Sequence, residues 1–121
     1  MSFAVLLGVG LLGGCGAIAR FALDGAVARR LGRAFPYGTL AVNLLGSFML
    51  GVLFGAELDT DAYRLAGTGL IGAFTTFSTW AFESHRLGED GRLDLGAANF
   101  AVSLALGVGT AWAGRHLGGA L

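Results

Sequence analysis

The chain has 121 residues, 55% hydrophobic and 13% charged, with a mean hydropathy of +0.70 and a formal net charge of zero. A soluble domain averages about 25% charged residues; here the eight arginines and eight acids fall outside four charge-free blocks, Met1–Ala19, Phe35–Ala56, Leu65–Phe82 and Leu95–Gly114, which take in 79 of the 121 positions. This excludes a soluble bundle, whose helices would carry polar stripes at period 3.6; neutrality offers nothing to nucleic acid, and the single Cys15 excludes an intrachain disulfide.

A transmembrane helix needs roughly 17–25 residues. The blocks therefore predict an all-α membrane protein, one four-helix unit over residues 1–121, with spans at about 2–23, 38–56, 63–84 and 95–116. No Lys or Arg precedes the first apolar run, which argues against a signal peptide. Glycine is abundant, 22 of 121, and pairs such as Gly10/Gly14 and Gly51/Gly55 set small residues one turn apart, the spacing that lets membrane helices approach closely. Four short helices cannot easily enclose a pore alone, so close packing between chains, an oligomer, is expected.

The first helix opens with Gly8-Val9-Gly10-Leu11-Leu12-Gly13, a match to the dinucleotide pattern GxGxxG. No strand precedes it and no acid follows in a βαβ context, so it reads as helix packing. Arg20, near the helix end, has two readings: an arginine that snorkels to headgroups, or a cation at a vestibule that draws anions in. The first loop, Asp24 to Pro36, carries Arg29, Arg30 and Arg33 and could hold a short interfacial helix. Tyr37 follows at the position of a membrane-edge aromatic.

In the second helix Thr39, Asn43, Gly46 and Ser47 share one face by their spacing of three and four. Asn43 fits an interhelical hydrogen bond, or a pore lining with two N–H donors and a carbonyl acceptor. A short acidic loop leads to the third span, where Gly72-Ala73-Phe74-Thr75-Thr76-Phe77-Ser78-Thr79-Trp80 sets four hydroxyls within five residues of an apolar run. Hydrocarbon has no partners for them, so they must face protein, water or an ion. Gly72 and two adjacent β-branched threonines also lower helix propensity there, which predicts an interruption near Gly72–Thr76 at mid-membrane. In the fourth span Asn99, Ser103 and Gly107 stand four apart, a second polar stripe that either bonds between helices or completes the lining of a path. Loops 1 and 3 with their flanks hold six arginines against two elsewhere, which by the positive-inside rule sets those loops in the cytoplasm.

Three motifs, Gly13-Gly14-Cys15-Gly16-Ala17-Ile18-Ala19-Arg20, Pro36-Tyr37-Gly38-Thr39-Leu40-Ala41-Val42-Asn43-Leu44-Leu45-Gly46-Ser47-Phe48 and Gly72 to Trp80, resemble the signatures of the CrcB/Fluc fluoride channels in order and along the whole chain. The resemblance implies a passive fluoride channel in the cell (inner) membrane that exports fluoride and relieves its toxicity. It implies an antiparallel dual-topology dimer, with two subunits inverted in one bilayer and two pores along their interface. The third helix of each subunit would break and cross its partner. Backbone carbonyls of Gly72 and Thr75 would hold a structural sodium ion. Asn43 and Phe77 would line the pore, with Thr39, Ser78, Thr79 and Ser103 as a polar track and Arg20 near a vestibule. Two departures stand out. Trp80 occupies the place of the family's second pore phenylalanine, and the uneven arginines fit a heterodimer with a paralogue as well as a homodimer. A proton-coupled multidrug exporter is the rival, but it needs a membrane-embedded carboxylate; none of the four blocks contains one, and Glu83 stands too near a helix end to serve. A non-transporting assembly subunit would account for the glycines but not the aligned polar faces. An enzyme would need a Ser/His/Asp set, paired carboxylates or a metal cluster.

Overall fold

The computed structural model describes residues 1–121 and contains helices and no strands. In chain order these are α1 (Phe3–Leu31), α2 (Tyr37–Gly55), α3 (Thr60–Tyr63), a π-helical stretch (Arg64–Ile71), α4 (Gly72–Phe74), α5 (Phe77–Glu89) and α6 (Leu93–Gly119). Three of them, α1, α2 and α6, are long and apolar enough to cross a membrane. The fourth expected span, 63–84, is divided among several shorter pieces, and none of them alone has the length.

The helix ends are set by local chemistry. Ser2 caps α1 by accepting from the Val5 N–H at 3.2 Å. The helix does not stop at Leu23. It runs 29 residues, on through the arginine-rich stretch expected as a loop, and ends where Gly32 takes a positive φ of 79°. Alanines and arginines are good helix formers, and Arg29 and Arg30 in the last turn face the negative end of the dipole. At about 1.5 Å per residue, α1 outreaches the hydrocarbon. The true loop is only 32–36, closed by Pro36. The fourth helix likewise extends past 95–116, to Leu93–Gly119.

Glycine decides which helices touch. A Cβ at Gly51 or Gly55 would strike the backbone oxygen of Ala111 or Arg115 in α6, and one at Gly114 or Gly118 would strike that of Phe48 or Val52 in α2. So α2 and α6 lie backbone against backbone along four interleaved glycines. On α1, Gly16 lies against the Leu70 carbonyl in the same way. Gly10 and Gly14, by contrast, have nothing within 4 Å and face outward. Large apolar side chains such as Leu11, Ile18 and Phe21 are exposed on that helix, as a bilayer-facing surface requires.

Candidate ion-path site

Between α4 and α5 two residues leave the helix. Thr75 (φ −82°, ψ 160°) and Thr76 (φ −147°, ψ 119°) are extended. Gly72 itself remains helical, at φ −57° and ψ −40°. The break is held from outside and from inside. From outside, the Thr76 N–H donates to Asn43 Oδ1 at 2.8 Å, and Asn43 Nδ2 donates to the Thr76 carbonyl at 2.9 Å. This pair of bonds replaces the helical partners that Thr76 has lost. From inside, Thr76 Oγ1 caps α5 by accepting from the Thr79 N–H at 3.2 Å. Gly46 makes room for the turn, because a Cβ there would strike the Thr75 methyl.

The substitution of side chain for backbone has a consequence for two carbonyls. In a continuous helix the Thr76 N–H would go to Gly72 O, and the Thr79 N–H to Thr75 O. Here they go to Asn43 and to the Thr76 hydroxyl. Both carbonyls are thus released from those bonds, and Gly72 is exposed. They are hard oxygen donors of the kind an alkali cation takes, and they fit the sodium site that the resemblance implies. No group of three His, Cys, Asp or Glu side chains offers an alternative.

Two cavities meet at Thr76. The larger, about 400 Å³, is an open groove lined by Asn43, Ser47, Thr75, Phe77, Trp80 and Ser103 as well as Thr76. The other, about 230 Å³, brings together Arg20, Asp24, Thr39, Thr76 and Thr79. Of the candidate residues, Phe77 is 72% exposed at the groove. Ser78 is exposed, its hydroxyl 3.4 Å from that of Thr76. Thr39 is buried and its hydroxyl donates to Glu83 Oε1 at 2.5 Å. Thr76 Oγ1 donates to Thr79 Oγ1 at 3.1 Å, which leaves the Thr79 O–H free to turn into the smaller cavity. Asn43 likewise keeps one amide N–H with no protein partner, since only the bond to Thr76 uses that group. Arg20 forms no ion pair, although Asp24 shares its cavity.

Ser103 belongs to a second circuit, between α5 and α6, centred on Asn99, which is only 1% exposed. Asn99 Nδ2 donates to Ser84 Oγ at 2.7 Å, Ser84 Oγ donates to the Trp80 carbonyl at 2.9 Å, and Ser103 Oγ donates to Asn99 Oδ1 at 3.3 Å. The Trp80 indole N–H donates to the Asn99 carbonyl at 3.2 Å. Sequence reasoning missed Glu83 and Ser84 as parts of the site. The signal for Glu83 was its place one and two turns after Thr79 and Thr76 on the same face of α5.

The profile of the family described as CrcB-like protein, Camphor Resistance (CrcB), matches residues 7–115. The chain is 51% identical over 117 residues to the fluoride-specific ion channel FluC 2 of Mycobacterium tuberculosis (strain ATCC 25618 / H37Rv), covering 97% of this chain and 93% of that one. It is 53% identical over 114 residues to FluC 2 of Mycolicibacterium paratuberculosis, covering 94% and 93%. To the fluoride-specific ion channel FluC of Geobacter sulfurreducens it is 42% identical over 114 residues, covering 90% and 92%. With the profile spanning nearly all of its length and relatives this similar end to end, the chain belongs to the CrcB-like family.

Proposed function

We propose that this multi-pass membrane protein is a passive, fluoride-selective channel that carries fluoride out of the cytoplasm across the cell membrane. One observation carries the reading. The break after α4 is braced by Asn43 so that uncommitted donors, the second Asn43 N–H and the Thr79 O–H, border two cavities that share Thr76. An unpaired anion in low dielectric costs tens of kcal/mol by Born estimates, so a path must replace its water with donors. Neutral donors do this without the fixed charge that would hold the ion too long. The only cation beside the path is Arg20, at the smaller cavity, where it concentrates anions. The Phe77 ring adds a positive edge at the groove. The α5 helix starts at the break, so the positive end of its dipole also favours an anion there.

The functional unit in this reading is an antiparallel, dual-topology dimer, a homodimer or a heterodimer with a paralogue. The groove is open along one side with Phe77 exposed, and the outward glycines Gly10 and Gly14 leave a face that another helix can approach. A second, inverted subunit would close the groove, and the third span, residues 63–84, would cross the bilayer in two pieces. Gly72 and Thr75 carbonyls would hold a sodium ion, which would supply a fixed positive charge to join the two breaks and favour nearby anions.

Fluoride efflux from proteoliposomes tests this, with chloride as the control. The wild-type chain should release fluoride and retain chloride, and Asn43→Ala or Phe77→Ala should slow release strongly. Full efflux in both variants would refute these site assignments, and equal release of the two halides would refute the selectivity.

A further inference from the structure

We infer that Trp80 is a positioning residue: it fixes the ring of Phe77 at the groove and offers no N–H to the ion. The inference rests on the channel reading for its functional consequence, and on geometry alone for the fixing. Tryptophan differs from phenylalanine by a larger ring and one N–H donor. At a groove that collects donors, the expected use of that N–H is to meet the anion. The structure assigns it elsewhere, to the Asn99 carbonyl on α6 at 3.2 Å.

The indole is held on three sides. Its N–H is tied to α6. Its face stacks on Phe100, with centroids 4.9 Å apart and planes at 17°. Toward the groove it meets Phe77 edge to face, at 5.3 Å and 73°. Phe77 has no other aromatic neighbour and is otherwise exposed, so this contact is what limits its ring. The hydrogen bonds behind the indole admit one arrangement of protons. A carbonyl can only accept, so Ser84 must donate to Trp80 O. The Ser84 oxygen is then the acceptor for Asn99, which sets the amide's NH2 toward α5 and Oδ1 toward Ser103. Ser103 must therefore donate to Asn99, and its proton too is withdrawn from the groove. The circuit cannot reverse to release a donor without breaking a bond to Asn99, whose amide is buried. Trp80 and Ser103 thus line the groove, while the donors that reach into it come from the α2 and break side.

The test replaces the donor and keeps the shape. Benzothienylalanine at position 80 has sulfur in place of the N–H. With Phe77 carrying a 4-fluoro label, 19F NMR of the whole chain should show a single resonance for the Trp80 protein, and a shifted or broadened one for the analogue. In proteoliposomes the analogue should release fluoride about fivefold more slowly, the scale of one hydrogen bond. In a Phe77→Leu background the same replacement should change the residual rate little, because the effect travels through Phe77. An unchanged resonance would overturn the positioning role whatever the flux. Equal losses with and without Phe77 would overturn it too, by showing that Trp80 acts directly on the ion or on the fold. A wild-type chain that releases no fluoride would sink the channel reading alone, and the resonance would still decide the positioning.

Discussion

Two contacts made by α2 differ in kind. Toward α6 it presents Gly51 and Gly55, which lie so close to the Ala111 and Arg115 backbone that no Cβ would fit, as Gly114 and Gly118 lie in turn against Phe48 and Val52. Toward the break it presents Thr39 and Asn43, whose polar atoms reach Glu83 and Thr76. The glycine seam makes no side-chain hydrogen bond and gains from dispersion between close backbones. The polar contact packs less tightly and leaves cavities on both sides of Thr76. One helix thus holds the subunit together with one half and holds a break open with the other. A small membrane protein has few residues for both tasks, and dividing them along a helix lets each half use its own chemistry.

Substitutions separate the two faces. Gly114→Leu should have the largest effect, because its side chain would enter the Phe48 and Val52 backbone. Overpacking of this kind costs about 3 kcal/mol or more, and the variant should fail to give a monodisperse peak in detergent chromatography. Asn99→Leu should come next. It leaves Ser84 and Ser103 without their amide partner, a loss of about 1–2 kcal/mol, read as a lower midpoint in thermal unfolding with fluoride efflux reduced but present. Gly10→Ala should do least to the subunit. Nothing lies within 4 Å of a Cβ there, so its thermal midpoint should shift by less than about 0.5 kcal/mol in stability terms. A large loss in that variant, with cross-linked dimer reduced in proportion, would mean that Gly10 sits in the subunit contact.

The apolar blocks were legible, because a bilayer writes its thickness into the length of charge-free runs. Three of the four became single helices of spanning length. The length of α1 was not legible, since the arginines that mark a loop by charge are also good helix formers and suit a helix C-terminus. Gly72 and the paired threonines pointed to a departure from helix near 72–76, where Thr75 and Thr76 are extended, but its cause was not legible. Gly72 stays helical, and the departure at Thr75 and Thr76 depends on Asn43, 33 residues earlier in the chain. Periodicity set Asn43, Ser103 and Asn99 on polar faces. It could not tell that Asn99 would bind Ser84, or that the Trp80 N–H would turn away from the groove. Those are contacts between helices, and helical spacing reports one helix at a time.

The central claim is that Asn43 does two things at once: it braces the break with its carbonyl oxygen and one N–H, and it offers the other N–H to a passing anion. Fluoride efflux by Asn43→Asp tests it most directly. Aspartate keeps an oxygen for the Thr76 N–H but removes both amide donors and adds a negative charge at the groove. The account predicts a folded protein, with wild-type chromatography, that passes no measurable fluoride. Efflux at the wild-type rate from that variant would contradict it.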